Sequence, residues 1–189
     1  MKVAIIMGSD SDWPILKSAV DVLKQFGVGY EVIVASAHRT PDKVREFVKS
    51  APERGIGVFI SAAGMAAHLG GVIASYTTLP VIGVPINASP LNGMDALLST
   101  VQMPPGVPVA TVGVNAAKNA ALFAVQILSV ADEELRTKYR AYRNNLAAEV
   151  DKKAENIANL IAAANVADEV KEKVADVASE VTEKVKSLF

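Results

Sequence analysis

Between Gly55 and Val130 only Asp95 and Lys118 carry a charge. A run that poor in charge has to be hidden from water, and a small monomer offers little room to hide it. Strands buried on both faces, as in a parallel sheet, take up part of it. Extensive subunit contacts would take up the rest, because obligate interfaces resemble a core cut in half. The stretch therefore predicts a parallel sheet in a chain that associates with copies of itself. At 189 residues there is room for one domain with an appendage.

Hydrophobic periodicity divides the first part into alternating strands and helices. Lys2–Met7, Tyr30–Ala35, Val58–Ala62, Pro80–Val84 and Val107–Thr111 are short apolar or alternating runs and read as strands. Helical spacing follows each: Asp12–Phe26, Pro41 to about Arg54, about Ala66–Tyr76, about Gly93–Gln102, and Ala116–Ser129. Five such units in series predict an α/β three-layer sandwich with a five-stranded parallel sheet and right-handed crossovers. The flavodoxin-like strand order is the expected one, with ligands beyond the carboxyl ends of the strands.

All twelve glycines lie at or before Gly113 and all nine prolines at or before Pro108, so the remainder reads as a C-terminal helical extension. Leu135, Tyr139, Tyr142 and Leu146 share a stripe, and Ile157, Leu160 and Ile161 resume it after a possible break. Then Val166, Val170, Val174, Val177, Val181, Val185 and Leu188 follow spacings of 4, 4, 3, 4, 4 and 3. That is an 11-residue period, which holds one stripe on a nearly straight helix. The expected divisions are 1–131 for an α/β catalytic domain, 132–165 for helices packing on the body or a neighbour, and 166–189 for an amphipathic tail. The tail either packs on its own body or a neighbour, or self-associates. Mixed charges and the lack of Trp and Arg argue against a membrane-surface helix.

Other classes fall away on composition. A net charge of −1 lacks the basic field of a nucleic-acid binder. No cysteine means no disulfide, thiolate metal site or thiol nucleophile, and two histidines are too few for an all-histidine zinc site. Lys2 precedes five apolar residues and then Gly-Ser-Asp-Ser-Asp, which does not read as a signal peptide. Ile56–Ser75 is uncharged over 20 residues, the length of a membrane span. Its four glycines, its histidine and its strand-like start favour a buried strand, a turn and a buried helix. The expectation is a soluble, cytoplasmic protein with no membrane or nucleic-acid partner.

Three loops at strand ends carry the chemistry. In Gly8-Ser9-Asp10-Ser11-Asp12, glycine allows close backbone approach, hydroxyls and helix N–H groups suit phosphate, and Asp12 can accept sugar hydroxyls. Ser11 or Asp12 would equally serve to cap the next helix. Ser36-Ala37-His38-Arg39-Thr40-Pro41 offers a histidine that titrates near neutral pH and an arginine whose fork fits phosphate or carboxylate. In the stretch Ala62 to Gly71, small residues allow close approach to a flat ligand, and His68 is either a pocket group or a hydrogen-bonded packing histidine. The residues by themselves define a pocket for a small phosphorylated metabolite with one general acid/base.

Together, GSDSDW, SAHRTPD, AAGMAAHLGG, TLPVIGVP, DALLSTVQMPPGVPVATV and AAKNAALFAVQIL resemble the bacterial N5-carboxyaminoimidazole ribonucleotide mutase family of purine biosynthesis, over about residues 2–130. The resemblance implies a homo-octamer with a flavodoxin-like fold, no metal and no organic cofactor. Its substrate would be a ribonucleotide whose carboxylate moves from the exocyclic nitrogen to ring carbon 4. It implies His38 as the catalytic histidine, Ser9, Ser11 and Asp12 on the nucleotide, and Ser36 and Arg39 on the phosphate side. Gly64, Ala66, His68 and Leu69 would belong to the loop that closes over the imidazole. The sequence departs from the family at Met65, where glycine is usual, and at Gly70, where proline is common. Three other readings stay open: a carboxylase of the same superfamily using free CO2, an enzyme-derived scaffold assembled through the helical tail, and a non-catalytic nucleotide sensor.

Overall fold

The computed structural model describes residues 1–186. Leu188 and the side chains of Val181 and Val185, which belong to the 11-residue pattern, lie outside what is described. The elements are β1 (Lys2–Met7), α1 (Trp13–Phe26), β2 (Gly29–Val34), α2 (Pro41–Lys49), β3 (Ile56–Gly64) and α3 (Leu69–Ala74). They continue with β4 (Val81–Ile86), α4 (Met94–Val101), β5 (Ala110–Thr111), α5 (Ala117–Ser129) and α6 (Glu133–Lys186). The chain divides into two compact units, residues 1–139 and the residues from Arg140 on.

In the first unit all strand pairs are parallel and the order is β2-β1-β3-β4-β5, the flavodoxin-like arrangement. Helices α1 and α5 pack together, while α2 meets α3 and α3 meets α4, giving helices on both faces of the sheet. Central strands β1, β3 and β4 are buried almost end to end, which is why their sequences are continuous apolar runs. At the sheet edge, β2 leaves Val32 and Val34 partly exposed.

Several boundaries differ from the sequence reading, each for a local reason. The second helix stops at Lys49, and Pro52–Arg54 forms a separate 3-10 turn, because Pro52 cannot donate into a continuing helix. β3 runs on to Gly64, so the third loop starts later than expected. The following helix begins only at Leu69, since Met65 sits in the left-handed region at φ 56°. Only Ala110–Thr111 of the fifth strand pairs with β4, after Gly106 at φ 99° and the donor-free Pro108.

The interruption considered between Leu146 and Ile157 is absent: α6 is one helix. No glycine or proline occurs after Gly113 to break it. Its start is fixed within the first unit. The Asp132 carboxylate accepts the Leu135 N–H at 3.0 Å, Leu135 is buried, and Tyr139 lies against Phe26 with ring centroids 6.0 Å apart. From Arg140 on nearly every described side chain is exposed, Leu160 and Val174 included. No described helix is long and apolar enough to cross a membrane.

Candidate active site

Parallel strands deliver their following loops to one edge, and here the first two loops meet there directly. Arg39 Nη2 donates to the Gly8 carbonyl at 2.9 Å, bridging the loops after β1 and β2. Its Nε and backbone N–H both reach Ser36 Oγ, at 3.4 and 3.3 Å. Thr40 Oγ1 accepts the Ser36 N–H at 2.9 Å and donates to the Ser36 carbonyl at 3.1 Å, closing a tight turn just ahead of α2. Gly8, Ser9, Ser36 and Arg39 thereby line one recess of about 280 Å³.

Within the first loop the serines and aspartates hold one another. Ser9 Oγ accepts the Ser11 N–H at 3.3 Å and the Ser11 hydroxyl at 2.9 Å, capping the 3-10 turn Asp10–Asp12. Asp12 precedes α1 but makes no side-chain cap, so neither it nor Ser11 caps α1, and the cap that Ser9 supplies belongs to the 3-10 turn. Burial pushes the Asp12 carboxyl above its usual range, partly offset by hydrogen bonds from Ser11 and Ser9. Prolines near the first turns of α1 and α2 and the partial positive charge of both helix starts suit an anionic group at this edge.

His38 belongs to a second cavity of about 530 Å³, where Ala37 and His38 from the second loop face Ala66 and His68 from the third. His38 is exposed to solvent. His68 is half-buried, with Nε2 2.8 Å from Met103 Sδ and a buried Nδ1 that has no hydrogen-bond partner among the described residues. Burial lowers its pKa and so favours the uncharged ring. A Cβ on Gly71 would collide with the His68 ring, so glycine there makes room for the imidazole.

Gly64 plays a similar steric part, since a Cβ there would lie 2.6 Å from Ala88 Cβ in the loop after β4. Leu69 is buried under the third loop rather than facing the cavity, packing with Ile73 and Val44. Gln102, Met103 and Pro104 complete the cavity wall, and Ser99 Oγ reaches the Met65 carbonyl at 3.5 Å. The sequence names none of these as site residues, because they follow a helix rather than a strand, although they fall in the stretch DALLSTVQMPPGVPVATV that carries the family resemblance. Among the described residues no group of three or more His, Asp or Glu side chains converges as metal ligands.

With three loops of this composition gathered around two adjoining recesses, the family becomes decidable. The family described as AIR carboxylase matches residues 2–149. The chain belongs to the AIR carboxylase family. It is 58% identical over 145 residues to an N5-carboxyaminoimidazole ribonucleotide mutase of Pyrococcus abyssi, spanning 77% of this chain and 83% of that protein. A mutase of the same name from Thermotoga maritima is 53% identical over 156 residues, 82% of this chain and 91% of its own. Phosphoribosylaminoimidazole carboxylase of Candida albicans is 50% identical over 155 residues but only 27% of that protein is covered. The crystal structure of Treponema denticola PurE superposes with a TM-score of 0.72 at 29% identity, covering 79% of this chain and 94% of that one. The AIR carboxylase match takes in all the candidate site residues and ends inside α6, leaving residues 150–186 of the helix outside it.

Proposed function

We infer that this chain is an N5-carboxyaminoimidazole ribonucleotide mutase, an enzyme that moves a carboxylate from the exocyclic nitrogen to ring carbon 4. The observation that carries this reading is identity of 53–58% to mutases over a span that includes every loop at the ligand edge of the sheet.

The site residues suit the parts of that reaction. The recess lined by Ser9, Ser36 and Arg39 takes the ribose phosphate, with Arg39 supplying a charge-assisted fork and two helix starts adding N–H donors. Ser11 and Asp12 hold the nucleotide, and the Asp12 carboxylate accepts a sugar hydroxyl, a bond that offsets its burial. The imidazole enters the adjoining cavity between His38 and the Gly64–Leu69 loop. There the carbamate C–N bond breaks, its electron pair goes to nitrogen, and His38 delivers the proton that nitrogen takes up. Ring carbon 4 then bonds to the released CO2, and His38 recovers the proton from that carbon as the ring regains aromaticity. The histidine ends as it began. Ala66 and His68, whose burial favours the uncharged ring, give a cavity wall with little charge, which keeps CO2 close to the ring.

Leu91, Met94, Leu98 and Val101 are exposed on and just ahead of α4, and a homo-octamer would cover that apolar face. The reading includes a cytoplasmic location, in keeping with a phosphorylated substrate that membranes retain. A second reading is the carboxylase that combines free CO2 with the decarboxylated ribonucleotide, favoured by the similarity to the Candida albicans carboxylase. The two separate in one assay, ultraviolet absorbance of the 4-carboxy product without ATP, metal or bicarbonate. The mutase converts the carbamate substrate under those conditions. A carboxylase forms product only when bicarbonate and the decarboxylated ribonucleotide are supplied.

A further inference from the structure

The last part of α6 lies beyond the family match, so its purpose has to be read from its own residues. Val166, Val170, Val174 and Val177 form one stripe and are 54–62% exposed. Valine is a poor helix former, and a helix in water draws most of its stability from packing an apolar face. The stripe therefore needs a partner, and its flanks say which one.

At 100° per residue, Glu169, Lys173 and Glu180 lie along one side of the stripe, while Ala167, Lys171 and Ala178 lie along the other. Lys171 is already paired with Asp168 of its own helix at 3.1 Å. Two parallel copies would set one flank against the other and bring Lys173 towards Lys171 and alanines. Two antiparallel copies set each flank against itself, and its alternating signs then become complementary.

We propose that α6 from Val166 onward docks antiparallel on the same stretch of a second copy of this chain, centred between Asp176 and Val177. In that register Lys173 meets Glu180 of the partner subunit, and symmetry makes the same pair again. The stripes interleave, Val174 falling between positions 177 and 181 of the partner subunit. The 11-residue period keeps both helices nearly straight along the contact. The contact uses residues of the extension alone, so it links copies through the extension rather than through the α/β unit.

The chain has no cysteine, which makes single-cysteine crosslinking of the full-length protein a clean test. Val177→Cys places the two thiols beside each other at the centre of the contact. Val166→Cys places them about 30 Å apart along the axis at about 1.5 Å per residue, far outside disulfide reach. Under mild oxidation most of the Val177→Cys chain should run as a covalent dimer on a non-reducing gel, and Val166→Cys should stay single. Adding Lys173→Glu to Val177→Cys should cut the dimer several-fold, and adding Glu180→Lys as well should restore it. Equal crosslinking at both positions would mean a parallel pair, and no crosslinking at Val177→Cys would mean no pair. Either result overturns the proposal, as does a Lys173→Glu substitution without effect.

Discussion

β3 and the far part of α6 are both built on β-branched apolar residues, yet they end in opposite surroundings. In β3 the apolar residues are consecutive, and β1, β4, α3 and α5 lie against it; Ile60 is 0% exposed. In α6 the valines recur every three or four residues between charges, and Val174 is 62% exposed. The difference teaches where this chain completes its packing by itself. A continuous uncharged run finds neighbours inside one α/β unit. A stripe with charged flanks is written for another helix.

That contrast can be broken by truncating one residue in each region. Ile60→Ala should lower the unfolding free energy of the α/β unit in urea by about 2–5 kcal/mol, the usual cost of a buried large-to-small change. Val174→Ala should move the same transition by less than about 0.5 kcal/mol, because Val174 belongs to the second unit and contributes nothing to the core of the first. Equal costs would mean that the far helix is part of the same cooperative core.

A smaller effect should follow at the exposed edge of the α/β unit. Arg39→Ala should weaken ribonucleotide binding by about 1.5–3 kcal/mol, the worth of a hydrogen bond to a charged group, with the thermal midpoint nearly unchanged. Titration calorimetry reads the affinity directly. An unaltered dissociation constant would remove Arg39 from the phosphate recess.

The smallest effect compares two paired carboxylates, Glu31 and Asp168. Burial works against the charge on Glu31, but hydrogen bonds from Arg54 and Lys2 outweigh it and hold the carboxyl below its usual range. A depressed carboxylate stabilises the fold above its unfolded pKa, and that benefit fades as pH falls through the folded value. Glu31→Gln should therefore cost up to about 1 kcal/mol at pH 7 and progressively less in acid. Asp168→Asn, which breaks the exposed Lys171–Asp168 pair of α6, should leave the urea transition of the α/β unit unmoved at either pH.

Most of the α/β unit is legible in the sequence because strands buried on both faces and helices with one apolar side leave different periods. Five serial βα units implied a parallel sheet but not its strand order; the expected flavodoxin-like order is the one found, and the three candidate loops were visible as polar or glycine-rich breaks after strands. Tertiary detail was less legible. Nothing local reveals that Gly64 clears Ala88, that Gly71 clears the His68 ring, or that Arg39 crosses to the Gly8 carbonyl. Met65 takes a left-handed backbone conformation that its side chain does not advertise. The wall formed by Gln102–Pro104 depends on how α4 ends against α3, which spacing alone does not encode. For α6 the valine repeat was plain, and the absence of glycine and proline explains why the helix continues through the suspected break.

In the proposed reaction the loops at the carboxyl edge form one site in which His38 carries the proton. Single-turnover conversion of bound N5-carboxyaminoimidazole ribonucleotide by His38→Asn, beside its dissociation constant, tests this most directly. Wild-type affinity is expected, with a rate lower by about 10²–10⁴-fold, the range for loss of a general acid/base. Conversion at the wild-type rate, with the substrate bound as tightly as before, would contradict it.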